Sequence, residues 1–267
     1  MTSMPVIKWS GSKRSQAKKI IEFFPDFKTY YEPFLGGGSI LLELKPKKAV
    51  CYDINQSLID FWNVIKKNPK SMCDYYRLEW NKLQDKGYKH YLDIRNRYNN
   101  EPNGYDLLFL SRTCVNGLIR YNKKGEFNNS FHYSRPGIHP DKLDKIIEST
   151  SEIIESYEFI NEDYKMILNT VTKDDFVYLD PPYFNTRGRY YGTIDYTDFF
   201  KFLEDLNKKG IKYALSFDGK SENKNYLFEV PKELYKRHIL IRSGKSTFNK
   251  VIDGKSNEVH ESLYLNW

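Results

Sequence analysis

The sequence predicts an α/β fold, a mainly parallel sheet interrupted by a helical, loop-rich insertion, and three observations carry this. An extended segment runs through three consecutive glycines into a helix (Thr29 to Leu44). Two short apolar strands, Ala49 to Ile54 and Phe176 to Leu179, end at or are followed by an acid. Between them the periodicity changes to helix and then disappears. A length of 267 residues suits one α/β domain carrying an insertion at about 56–156.

The elements follow in order. A short polar loop opens the chain, and Gln16 to Phe24 is expected as a helix. Thr29 to Phe34 (TYYEPF) is rich in β-forming residues and leads into Gly36, Gly37 and Gly38. Ser39 then starts an apolar helix, Ile40 to Leu44, that Pro46 stops. Ala49 to Ile54 (AVCYDI) is a second buried strand. Gln56 to Arg97 is expected as helices broken at Pro69 and Gly87. From Arg112 to Pro140, Asn, Gly, Lys and aromatic residues crowd together without period (VNGLIRYNKKGEFNNSFHY), as in a long functional loop or hairpin. Asp141 to Glu155 returns to helix. Tyr157 to Ile160, Phe176 to Leu179 and Ile211 to Phe217 are further strands, and Leu234 to Ser243 pairs with Ser262 to Trp267. No internal repeat or low-complexity tract is visible.

Composition excludes several classes. The chain is 40% hydrophobic and 16% aromatic, enough for a packed core. It has no apolar run long enough for a membrane helix and no signal-peptide core in Met1 to Ile20. Cys51, Cys73 and Cys114 lie far apart, so neither a zinc site nor a disulfide framework is expected, and no metal is expected. A reduced, cytoplasmic setting fits. The net charge of +7 is unevenly spread. Lys8, Lys13, Arg14, Lys18 and Lys19 face no acid in residues 1–20. Arg112, Arg120, Lys123, Lys124 and Arg135 face Glu126 alone in residues 112–136, so the remainder is slightly acidic. A solvated basic face explains either cluster alone; two of them interleaved with Tyr, Phe and Asn favour a polyanion.

Three motifs bear chemistry. Asp180-Pro181-Pro182-Tyr183 follows an apolar strand directly, where open α/β sheets bind ligands; its prolines stiffen the chain and leave carbonyls free to accept. Glu32-Pro33-Phe34-Leu35-Gly36-Gly37-Gly38-Ser39 lets a ligand approach the backbone at Gly36 and Gly38, although Leu41 stands where a dinucleotide fingerprint needs its third glycine. Asp53, at the end of the second strand, suits a ribose hydroxyl pair or a helix cap. Lys8-Trp9-Ser10-Gly11-Ser12-Lys13 places a Trp in a basic loop, able to stack on a cation or a base.

Taken in order, Trp9 to Lys13, Pro33 to Ser39, Asp53, Asn116-Gly117-Leu118 with Asn122 to Phe127, and Asp180 to Tyr183 resemble the Dam-type DNA adenine-N6 methyltransferases over essentially the whole chain. The resemblance implies a Rossmann-like, S-adenosylmethionine-dependent methyltransferase sheet (1–55 and 157–267) with an inserted target-recognition domain (56–156). It assigns the cofactor to Trp9, Lys13, Phe34, Gly36, Gly38, Asp53, Asp163 and Asp180, and catalysis to Asp180, Pro181, Pro182 and Tyr183. Where GATC methylases follow Gly-x-Phe-Asn with Val-Pro-Phe-Gly, this chain has Asn129-Ser130-Phe131-His132 after Asn128, which looks more like FokI-type asymmetric-site systems.

The expected activity is methyl transfer to the N6 amine of a flipped adenine in double-stranded DNA, by a monomer beside a separate restriction endonuclease. Flipping is needed because the amine is inaccessible inside the stack. Asp180 and the Pro181 carbonyl would accept its two hydrogens, and Tyr183 would stack on the base. Lys8, Arg112, Asn116, Arg120, Tyr121, Asn122, Lys123, Lys124, Asn128, Asn129 and Arg135 are the expected DNA contacts. Among them Arg120 suits guanine, Asn122, Asn128 and Asn129 suit adenine, Lys123 and Lys124 suit phosphate, and Tyr121, with Phe127 or Phe131, could wedge into the stack. A cytosine-N4 methyltransferase or a catalytically silent DNA-binding relative are the alternatives.

Overall fold

Successive residues of a strand face opposite sides of a sheet, and here both sides are apolar, as a sheet covered on both faces requires. The computed structural model describes residues 4–182, 194–217, 230–245 and 258–267. Its strands are β1 (Tyr30–Glu32), β2 (Ala49–Tyr52), β3 (Glu158–Ile160), β4 (Phe176–Leu179), β5 (Lys212–Phe217), β6 (Arg237–Lys245) and β7 (Glu258–Leu265). They lie in the order β3-β2-β1-β4-β5-β7-β6. The first five are parallel, and β7 runs antiparallel to both β5 and β6. In β4, Phe176 and Tyr178 enter the core on one face, while Val177 and Leu179 enter the core on the other.

The helices are α1 (Ala17–Ile21), α2 (Ser39–Leu44), α3 (Gln56–Lys67), α4 (Pro69–Lys86), α5 (Tyr88–Asn100), α6 (Gly104–Thr113), α7 (Pro140–Ile154) and α8 (Tyr196–Lys208). Local chemistry sets their boundaries. Asn55, Asn68 and Asn103 accept the first free amides of α3, α4 and α6, and Pro69 sits in the first turn of α4, where its missing N–H costs nothing. Gly87, at φ +56°, ends α4 and opens α5. Expected elements recur with shifted ends: the first helix is only Ala17–Ile21, and the last two strands start three residues later and four earlier than expected.

Two helices have no counterpart in the sequence reading. In α6, every residue from Asp106 to Thr113 is buried, so no polar face marks the helical period. In α8 the signal is present, since Tyr196, Phe199, Phe202, Leu203 and Leu206 form a buried stripe at helical spacing behind the capping Asp195.

Helix α3 joins the bundle to the sheet, with Trp62 stacked on Phe159 of β3 at 5.4 Å between ring centroids. Inside the bundle the carboxylate of buried Asp106 takes two guanidinium N–H bonds from Arg97. Residues 114–131 form a loose hairpin with bridges at Cys114–Phe131 and Tyr121–Phe127. Asn99 on α5 holds it, exchanging two hydrogen bonds with the Phe127 backbone at 2.8 and 3.1 Å. No helix among the described residues is long and apolar enough to cross a membrane.

The bundle depends on one close approach. A Cβ at Gly104 would lie 2.3 Å from the Phe61 backbone nitrogen, and a backbone cannot rotate aside as a side chain can. Gly104→Ala is therefore expected to lower the stability to urea by about 2–3 kcal/mol. An unchanged midpoint and slope would show that α3 and α6 can separate at no cost.

Candidate active site

Parallel strands end on the same edge of the sheet, so their following residues converge there. Glu32 closes β1, Asp53 follows β2 and Asp180 follows β4, and all three line one cleft of about 960 Å³ including its open mouth. Residues 9–13 and 33–37 form most of its rim, joined by Ser39, Ile40, Ile54, Asp163, Tyr164, Pro181, Pro182 and Ile194.

The glycine turn is packed tight from behind. A Cβ on Gly36 or Gly37 would come within 2.8 Å of the Trp9 side chain, and one on Gly38 within 2.8 Å of Trp62. Gly36 and Gly38 also have φ of +49° and +62°, a region that other residues rarely adopt. The Trp62 indole N–H donates to the Gly36 carbonyl at 3.2 Å. Phe34 sits 5.1 Å from Tyr164 between ring centroids, making an apolar wall.

Asp53 ties this turn to the second strand. Its Oδ2 accepts the Gly36 amide at 3.1 Å and its Oδ1 the Asn55 amide at 3.0 Å. Burial pushes its carboxyl up to about 6 in spite of these two donors. Asp180 behaves alike: burial pushes it up to about 6, while the Lys13 ammonium, 2.7 Å from Oδ1, opposes the rise. Lys13 also lies 2.9 Å from Glu261 of β7. Asp163 stands exposed at the rim and accepts the Lys165 amide at 2.9 Å. The Pro182 carbonyl takes the Tyr196 hydroxyl at 2.9 Å. Tyr183 lies outside the described residues.

The cleft thus gathers Trp9, Lys13, Phe34, Gly36, Asp53, Asp163, Asp180, Pro181 and Pro182; Gly38 sits behind it on Trp62. Glu32 and Glu261 are additions. Glu32 ends a strand as Asp53 and Asp180 do, so the same strand-end signal points to it. Glu261 carries no sequence signal, being an acid within a distant strand.

Several expected DNA contacts are corrected by burial. Arg112 belongs to α6, not to the loop, and is 4% exposed. Its guanidinium donates to the carbonyls of Pro5 and Val6, so it anchors the N-terminal segment and cannot meet phosphate. Tyr121 is 6% exposed and its hydroxyl bonds Asn55 and Tyr98, which removes it as a wedge. Phe127 and Phe131 are buried as well. Asn129 spends its amide on the carbonyls of Val115 and Leu118. Asn122 closes the Lys123–Lys124 turn, accepting the Lys124 and Glu126 amides. The outward groups are Lys8, Asn116, Leu118, Arg120, Lys123, Lys124 and Arg135, with Asn128 beside Arg120 at 3.0 Å.

A family model for the D12 class N6 adenine-specific DNA methyltransferases matches residues 9–247. The type II methyltransferase M.MjaIII of Methanocaldococcus jannaschii is 29% identical over 304 aligned positions, covering 100% of both chains. A DNA adenine methylase of Vibrio cholerae is 31% identical, across 66% of this chain and 64% of its own. The type II methyltransferase M.FokI of Planomicrobium okeanokoites is 26% identical, across 98% of this chain but 43% of its own. Because the match runs through the glycine turn, Asp53 and the Asp180 strand end that build the cleft, the chain belongs to the D12 class of N6 adenine-specific DNA methyltransferases, which take their methyl group from S-adenosylmethionine.

Proposed function

We propose that Asp180 and the carbonyl of Pro181 accept the two amino hydrogens of a flipped adenine at the mouth of the cleft. The lone pair of that amine is delocalised into the ring; two acceptors draw it towards sp³ character and aim it. The observation that carries the reading is the Asp180 carboxylate, desolvated at a strand end, tied by one oxygen to Lys13 and bordering the same cleft as Asp53. S-adenosylmethionine supplies an electrophilic methyl on a sulfonium. The cleft fits such a ligand: bare glycine backbone at the rim, an apolar wall from Phe34 and Tyr164, and an acidic lining. Asp53 keeps accepting capacity on both oxygens for a ribose hydroxyl pair, and Asp163 is suited to the adenine moiety. Trp9 backs the turn on which this ligand would lie. Tyr183 supplies the face on which the extruded base stacks.

The outward side of residues 112–136 is the reading surface, within a target-recognition segment of residues 56–156 set between the catalytic parts 1–55 and 157–267. Arg120, exposed and bonded through Nε to Asn128, offers its guanidinium to a guanine edge, while Lys8, Lys123, Lys124 and Arg135 hold phosphates. Leu118, 47% exposed just after Asn116 and Gly117 in the left-handed region, takes the wedge role that buried Tyr121 leaves vacant. The sequence after Asn128 supports a non-palindromic site methylated by a monomer; the three free cysteines support a cytoplasmic setting, and the likeness to restriction-system methylases supports a separate endonuclease as partner.

Asp180→Ala is expected to abolish methyl transfer in a single turnover with labelled cofactor and unmethylated DNA; a rate within tenfold of the parent enzyme would remove Asp180 from the amine. Asp53→Ala should weaken S-adenosylmethionine binding by about 1.5–3 kcal/mol in calorimetry. Because its raised carboxyl is ionised only above about 6, affinity should fall as pH drops through that value, and the fall should shrink in Asp53→Asn. Unchanged affinity in Asp53→Ala would leave Asp53 as a turn-former only. Arg120→Ala should relax discrimination at one base pair by about 1–3 kcal/mol, whereas Lys124→Ala should weaken all sequences alike and lower the salt slope by about 1. Mapping of methylated adenines tests the site, and plain GATC on both strands would overturn the asymmetric reading.

A further inference from the structure

Lys13 is a buried ammonium held between two carboxylates from distant parts of the chain. Its Nζ lies 2.7 Å from Asp180 Oδ1 and 2.9 Å from Glu261 Oε1, and it reaches the Gly11 carbonyl at 3.4 Å. The three side chains are only 5%, 19% and 11% exposed. The sheet makes the meeting possible: β7 lies beside β5, β5 lies beside β4, and Asp180 follows β4 directly.

One lysine could neutralise one acid, so the second carboxylate needs a reason. Each ion taken from water costs several kcal/mol, which an ammonium recovers only from good partners. An ammonium offered Asp180 alone would be drawn fully onto it, able to bridge both oxygens and to weaken it as an acceptor. With Glu261 opposite, the ammonium is shared and stays at Oδ1, and among the described residues no other side chain donates to Asp180, so Oδ2 can accept.

We propose that Glu261 is a positioning residue for methyl transfer: acting through Lys13, it keeps one oxygen of Asp180 open to the adenine amine and preserves that carboxylate's accepting strength. This rests on the reading of Asp180 as the amine acceptor. Among the described residues, the other ionisable groups that bear on Asp180 are buried Glu32 on β1 and Tyr178 on β4, whose hydroxyl is paired with Ser216 at 2.7 Å. Lys13 also acts on Tyr178, and both side chains are kept in the variants below. Lys13 lowers and Glu261 raises the pH at which Asp180 ionises, so their removal should act in opposite directions.

The experiment titrates ¹³C-carboxyl aspartate in the full chain by NMR, without cofactor or DNA, and takes the Asp180 signal as the one lost in Asp180→Asn. Glu261→Gln should move its midpoint down by about one pH unit, and Lys13→Met should move it up by at least as much. At pH 8, where Asp180 is ionised in the parent and in Glu261→Gln, the single-turnover rate of Glu261→Gln should still fall about tenfold or more. Glu261→Asp, which restores the charge, should return the midpoint towards the parent value and recover part of the rate; it also serves if the Gln variant fails to fold. A midpoint unmoved in the Glu261 variants, a shift in the same direction as Lys13→Met, or an unchanged rate at pH 8 would each overturn the proposal. An active Asp180→Asn enzyme would instead overturn the underlying reading of Asp180, whatever the titrations return.

Discussion

No side chain fits at Gly36, Gly37 or Gly38, and the rest of the site hangs on that close approach. Trp9 from the N-terminal loop and Trp62 from α3 close against the bare backbone, and Trp62 adds a hydrogen bond to the Gly36 carbonyl. The turn is thereby pinned between the N-terminal loop and helix α3. Asp53 pins it a third time, through the Gly36 amide. Once Trp9 is seated, Lys13 lies within reach of the end of β4.

Charge follows from this geometry. Three acids at the ends of adjacent parallel strands face one cleft, and burial disfavours their ionised forms. Asp53 and Asp180 are both pushed up to about 6, and Glu32 rises in the same direction. Lys13 prevents Asp180 from rising further, and Glu261 prevents Lys13 from overwhelming it.

The hairpin is wired to the same turn. Asn55, two residues beyond Asp53, caps α3 with its oxygen and donates its amide to the Tyr121 hydroxyl, which Tyr98 of α5 also meets. Ser10 donates to the Ile119 carbonyl, and the alkyl stem of Lys8 lies across Gly117. The hairpin of residues 114–131 and the loop that borders the cleft therefore share direct contacts. Arg112 serves this joint from inside by holding the carbonyls of Pro5 and Val6; its charge is satisfied by backbone, which explains why a cationic residue can be buried in α6.

The sequence by itself determined the sheet class, the broken helices that follow Asn55 and the strand-end acids, because these depend on local signals: apolar strands, Pro69 and Gly87 as breakers, and glycines placed directly after a strand. Glu32 was visible by the same rule that exposed Asp53. Only the tertiary structure decided which charged and aromatic residues of 112–136 face outward. Composition assigns Arg112 and Arg120 alike, yet one is buried under α1's preceding loop and the other exposed, since accessibility is a property of packing and not of residue type. Helix α6 escaped detection for a related reason, as a helix buried on all sides has no polar face to reveal its period. The link from Glu261 through Lys13 to Asp180 joins the two ends of the chain across three strands, a relation that strand order creates and that no local pattern encodes.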